Sequence, residues 1–167
     1  IGACWLIMKC ETDLQKKAVK WAKFFLLFSI LGLAAVSITT PLMSERIFEK
    51  WFSFPAILAL LPIPLTTGIL IIALYVLLRH MPFPKDQYCW LPLVMTVLVY
   101  ILSFVGLAYS FFPYIVPDQM TIIEAAAADD SLLIMLFGAL IVLPILLGYT
   151  ALSYYIFHGK ATELSYD

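Results

Sequence analysis

Residues 113–160 read PYIVPDQMTIIEAAAADDSLLIMLFGALIVLPILLGYTALSYYIFHGK, and this last third decides the fold. A proline-bounded segment and an alanine-rich loop give way at Ser131 to an apolar run that ends on aromatics, a histidine and Lys160. Such a run, closed by aromatics and then a basic residue, is a transmembrane helix leaving the bilayer on a positive side. From Ser131 to Phe157 it measures about 40 Å as a helix, against ~30 Å of hydrocarbon, so it tilts, kinks at Pro144 or reaches into the headgroups.

Three further runs of the same kind precede it. The spans are expected over about Phe24 to Leu42, Pro55 to Leu78, Trp90 to Phe112 and Ser131 to Phe157. Composition agrees: 63% of the 167 residues are apolar and 13% are charged, with a mean hydropathy of +1.00. A water-soluble domain has too little interior to hide that much hydrocarbon. The fold class is therefore an all-α integral membrane protein with a four-transmembrane-helix bundle over residues 24–158. A net charge of −1 and the lack of a basic stripe outside the membrane flanks exclude a nucleic-acid partner.

Residues 1–9 are an apolar run too short to span, without the charged start and cleavage site of a signal peptide. They read as the end of a preceding helix, and the chain as part of a longer protein. Residues 10–23 form a basic segment. Thr12 with Gln15 is a capping-box pattern, so a helix is expected to begin there. Lys9, Lys16, Lys17, Lys20 and Lys23 supply a positive-inside signal and a surface for anionic lipid or, as the alternative, for a recruited soluble partner. The segment before span one, the loop with Arg79 and Lys85, and the tail with Lys160 hold eight of the ten Lys and Arg residues; Arg46 and Lys50 are the other two. Both ends of the chain, including the tail 159–167, are expected on the cytoplasmic side, which for a bacterial source is that of the inner membrane. The acidic loop with Asp118, Glu124, Asp129 and Asp130 then faces the periplasm.

Within the spans, Ser29, Gly32 and Ala35, and likewise Ser103, Gly106 and Ser110, are small residues at helical spacing that permit close helix approach. Residues 44–52 are amphipathic and suit the interface. Pro62 and Pro64 break the second span, and Thr66 and Thr67, neighbouring helices or water are the candidates to bond the freed carbonyls.

Chemistry is sparse. No Asp, Glu, His, Lys or Arg lies in the hydrocarbon part of any span, so proton conduction through such groups is not expected. Tyr100, Tyr109, Tyr149 and Tyr154 are expected to fill space and bond neighbouring helices. His80 and His158 sit at membrane edges, better placed as anchors than as haem ligands. Cys4, Cys10 and Cys89 match no metal spacing and read as reduced packing residues. Glu124, Asp129 and Asp130 read as a solvated loop whose end caps the last helix. No catalytic, cofactor-binding or metal residues are assigned, and none of these patterns specifies a reaction.

Three blocks are more specific. Residues 2–10, GACWLIMKC, resemble a Gly-Ala-x-Trp-Leu-x-x-Lys-Thr pattern, with Cys10 in the threonine position. Phe112 to Pro117 running on to Thr121 through Ala126 is the second block. Leu143-Pro144-Ile145 with Tyr149-Thr150 and residues 155–160, YIFHGK, is the third, where His158 takes a position usually basic. In this order they resemble subunit II of the cytochrome bd-type quinol oxidases, a family that includes a cyanide-insensitive branch. The resemblance implies a subunit of roughly nine helices, of which these are the C-terminal four. It implies a complex that oxidises quinol, reduces oxygen to water and builds proton-motive force. Haems b and d would reside in subunit I, the partner, and this chain would bind none. Its outer surface would meet membrane lipid and quinone. The alternatives are a half-repeat of a secondary transporter, with the Pro62/Pro64 break as its site, and a non-catalytic membrane scaffold.

Overall fold

Hydrocarbon offers no water to a backbone amide, so a chain this apolar closes its hydrogen bonds inside helices. The computed structural model describes residues 1–83, 88–157 and 159–160. In order, its elements are α1 (Gly2–Lys9), α2 (Thr12–Leu42), α3 (Glu45–Phe52), α4 (Ala56–Leu60), α5 (Pro62–His80), α6 (Leu91–Phe111), β1 (Tyr114–Val116), β2 (Met120–Thr121) and α7 (Asp129–Ile156). Four helices, α2, α5, α6 and α7, are long and apolar enough to cross a membrane. The all-α membrane class is thus observed, and β1 and β2 add a small antiparallel ribbon.

The 31 residues of α2 span about 46 Å, so its first turns stand outside a ~30 Å hydrocarbon layer. The helix starts at Thr12, but the expected capping box does not form: Glu11 is the N-cap and no side chain caps the helix. Gln15 turns inward instead. It is 3% exposed, and its Nε2 donates to Ile7 O at 3.2 Å and to Cys89 Sγ at 3.5 Å. An amide buried without partners costs about 1–3 kcal/mol, whereas the exposed cap has water as a substitute. The core bond wins. Around Gln15 lies the main cluster of buried apolar side chains, with Cys4 and Ile7 from α1, Ala18, Val19 and Ala22 from α2, Leu74 and Leu78 from α5, and Cys89.

What reads as one span from Pro55 to Leu78 is two helices, α4 and α5, parted at Leu61. Pro62 is the first residue of α5, where a missing N–H costs nothing. The two threonines do not serve the carbonyls that the prolines free. Thr66 Oγ1 donates to Pro62 O at 2.6 Å and Thr67 Oγ1 to Ile63 O at 2.8 Å, both within their own helix. A hydroxyl in hydrocarbon finds its nearest acceptor one turn back, and the backbone break lies beyond its reach.

Helices α5 and α6 form the tightest pair of spans. The inner stripe of α6 is Pro92, Thr96, Val99, Ser103, Gly106 and Ser110, each partly or fully buried. Its spacing of three and four residues is the helical repeat. The Ser103–Gly106–Ser110 seam expected from the sequence is used: a Cβ on Gly106 would sit 3.4 Å from Ile63 Cγ2 of α5. The matching seam on α2 is not used within this chain, since Ser29, Gly32 and Ala35 are exposed and nothing lies within 4 Å of a Cβ on Gly32. Nothing in α7 is buried. The four spans are therefore unevenly associated, with α5 and α6 close and α7 offering its whole circumference outward. The expected cap by Asp129, Asp130 or Ser131 is absent too: Ala128 is the N-cap, and the two aspartates lie in the first turn, where negative charge complements the helix dipole.

Replacing Gly106 by Leu should force α5 and α6 apart and cost about 1–3 kcal/mol, the usual penalty of overpacking. Thermal denaturation of the purified protein in detergent should show a lowered midpoint. An unchanged midpoint would remove the seam from the account.

Candidate functional site

The polar chemistry of this chain collects at its two membrane edges, and each edge is built around one lysine.

At the first edge, α3 lies between the end of α2 and the start of α4. Its buried residue is Ile47, while Phe48 and Phe52 stack on its outer side with centroids 4.8 Å apart. Lys50 Nζ donates to Tyr109 O at 2.7 Å and to Phe112 O at 2.9 Å, two carbonyls at the end of α6 left without intrahelical donors. Its charge also meets the negative end of that helix dipole and the face of Tyr109, 4.3 Å from the ring centroid. Burial, and then the nearby Arg46, lower its pKa from the ordinary lysine value. From the next residue, Trp51 Nε1 donates to Ser110 Oγ at 2.9 Å, and Ser110 Oγ donates on to Gly106 O.

The loop after α6 is fastened to the same helix. Arg46 Nε donates to Asp118 Oδ1 at 2.9 Å, Ser44 Oγ donates to Asp118 Oδ2, and the Arg46 guanidinium stacks on Tyr114 at 4.4 Å. These bonds hold the Asp118 carboxyl below its ordinary pKa, the Ser44 hydroxyl contributing first and Arg46 next. Asp118 adopts a φ of 59°, a left-handed conformation that aspartate tolerates in a turn. Ile122 N–H donates to Pro113 O at 2.9 Å, and Glu124 closes the loop by accepting from Thr121 N–H at 2.8 Å, while its own N–H donates to Thr121 Oγ1. Those bonds lower the Glu124 pKa.

At the opposite edge, Lys9 does for α7 what Lys50 does for α6. Lys9 Nζ donates to Phe157 O at 2.7 Å and to Gly159 O at 3.2 Å, and Trp5 meets Tyr154 edge-on at 5.2 Å. His80 also lies at this edge, its Nδ1 2.8 Å from Val76 O of its own helix.

The residues singled out in the sequence fall as follows. Cys4, Cys10 and Cys89 are buried and unbridged; the Cys4 thiol lies 3.4 Å from Thr96 Oγ1. His158 and Lys85 lie outside the described residues. Among the described residues no group of three or more His, Cys, Asp and Glu, Glu124, Asp129 and Asp130 included, could hold a metal. The tyrosines depart from expectation in that Tyr100, Tyr109, Tyr149 and Tyr154 are exposed; two of them contribute their rings, Tyr109 under Lys50 and Tyr154 against Trp5. Asp118 and Ser44 were not separable in sequence from ordinary loop residues. The Pro62/Pro64 break opens on a cleft of about 160 Å³ lined by Trp51, Phe52, Ile57, Leu60, Leu61 and Pro64. Its walls are apolar and suit no ion.

Four apolar helices with braced ends and side chains turned outward define a multi-pass membrane subunit whose surface is made to meet lipid or other helices. Residues 1–157 match the family of cytochrome bd terminal oxidase subunit II, and the chain belongs to that family. It is therefore a subunit of a terminal oxidase, an oxidoreductase complex of the membrane, and the transporter half-repeat gives way. No curated protein matches the chain, and no solved structure does.

The lowered pKa values of Asp118 and Glu124 fix the sign of a pH effect. A carboxylate whose folded pKa lies below its unfolded value stabilises the fold above the unfolded pKa and ceases to do so as pH falls through the folded one. With the intrinsic pH dependence of exchange divided out, the protection of the amides across residues 114–124 should thus be constant down to the ordinary carboxylate range, near pH 4, and fall below it. Asp118→Asn should show the faster exchange already at pH 7. Equal exchange in the variant and the parent at pH 7 would mean that the Arg46 and Ser44 bonds do not hold the loop.

Proposed function

We propose that this chain is the structural component of a bd-type terminal oxidase that oxidises quinol, reduces oxygen to water and generates proton-motive force. The observation that carries the reading is the family match over residues 1–157 on a chain whose spans carry no ionisable side chain through the hydrocarbon. Electron and proton chemistry need ligands and relays at membrane depth, so the reading places them elsewhere: haems b and d in subunit I, the partner, and this chain beside it as wall and assembly surface. The exposed circumference of α7 and the unused α2 seam supply apolar area for such a partner, for membrane lipid and for quinone.

The charge pattern orients the chain in this reading. Lys9, Lys160 and the α2 lysines mark the cytoplasmic side of a bacterial inner membrane, and the Arg46–Asp118 edge faces the periplasm. Lys9 at the end of α7 and Lys50 at the end of α6 sit on opposite edges, which four successive crossings require.

Purified with its partner, the complex should show reduced haem bands and quinol-dependent oxygen uptake. A complex that contains this chain and lacks both would overturn the reading.

Replacing Pro113 or Glu124 should lower the yield of assembled complex, measured as haem per membrane protein, more than it lowers turnover per assembled haem. Full assembly with a selective loss of quinol turnover would instead place the loop at the reaction.

A further inference from the structure

The start of α2 carries two faces that lie nearly opposite one another. Gln15, Ala18, Val19 and Ala22 are buried, and they pack toward α1 and α5. Lys17, Lys20 and Lys23 recur every third residue on the outer side; Lys17 and Lys20 are exposed and Lys23 is partly so. At 100° per residue these three cover an arc of about 120°, and residues three apart are neighbours on a helix surface. Lys16 differs, since Asp13 pairs with it at 3.4 Å.

Depth decides what this arc can meet. The uninterrupted apolar run begins at Phe24. With a rise of about 1.5 Å per residue, Lys23, Lys20 and Lys17 stand about 1.5, 6 and 10 Å beyond it. The headgroup layer is about 5–7 Å thick on each side of the hydrocarbon, and a lysine stem is long enough to bring its ammonium to the phosphate level from either side. Trp21, 45% exposed, lies one turn past Lys17 at the depth where indole rings settle. Three cations at the height of the lipid phosphates, on a face turned away from the chain's own core, are complementary to anionic groups at that same height.

We propose that Lys17, Lys20 and Lys23 form a binding site for the headgroup of an anionic phospholipid, with Trp21 setting the depth. The occupant is lipid and not an acidic soluble protein, because the arc begins at the hydrocarbon boundary and a soluble partner would have to displace the headgroups to reach Lys23. This site does not depend on the oxidase reading, because it rests on helix geometry and charge alone.

The test uses the assembled complex in nanodiscs of mixed phosphatidylglycerol and phosphatidylcholine, with retained lipid counted by native mass spectrometry. Phosphatidylglycerol should be enriched over phosphatidylcholine, and the preference should fall about fivefold for each lysine removed in the series K23Q, K20Q/K23Q and K17Q/K20Q/K23Q. The K17R/K20R/K23R variant should retain it. Raising salt should weaken the preference of the unaltered complex, a measurement that stands even where a glutamine variant fails to assemble. A preference indifferent to both salt and the glutamine series would overturn the site. So would a co-purifying acidic protein lost with the lysines while the lipid count stays constant.

Discussion

A backbone amide in hydrocarbon has no solvent to bond, and that constraint accounts for most of what this chain does. It draws the apolar runs into α2, α5, α6 and α7 and places irregular backbone at the edges. It also governs the side-chain hydroxyls. Thr40, Thr67, Thr96, Ser103 and Ser110 each donate to the carbonyl one turn back, so these polar atoms are bonded before any neighbouring helix is needed. Helix ends are where the constraint is hardest to meet, because the last carbonyls have no donor of their own. Lys50 serves the end of α6 and Lys9 the end of α7. Each brings its donor from a separate helical segment, α3 or α1.

Those short helices thereby organise the edges. From α3 come Lys50 for α6, Trp51 for Ser110, and Arg46 for the loop beyond. From α1 come Trp5 and Lys9 for α7, and Cys4 and Ile7 for the core around Gln15. Charges appear where the bilayer can hydrate them, and the depth between is left to apolar packing. Packing there is selective. A stripe of small residues brings α6 against α5, whereas the bulky, exposed side chains of α7 turn outward. Lipid tails are as apolar as leucine, so such a helix gains nothing from hiding against its own chain unless shapes fit. A subunit of a terminal oxidase complex has other surfaces to meet.

The edge polar groups tune each other in a consistent direction. Asp118 and Glu124 are held as carboxylates by donors aimed at them, while Lys50, crowded by burial and by Arg46, gives up some of its affinity for a proton. All three shifts belong to groups that fasten loops and helix ends, so each perturbed pKa here has a bracing contact as its cause.

Residue order and hydropathy sufficed for the class, the four spans, the small-residue seam on α6 and the family, because each is a pattern along one segment: a run length, a repeat of three and four, a string of identities. Bilayer thickness and helical pitch turn such patterns directly into structure. Tertiary structure alone decided the partners. It took Gln15 from a cap to the core, confined Thr66 and Thr67 to their own helix, parted α4 from α5 at Leu61, and brought Asp118 to Ser44 and Arg46 across more than seventy residues of chain. A polar side chain takes the best-matched donor or acceptor it can reach in space, and no local pattern records which distant segment will supply it.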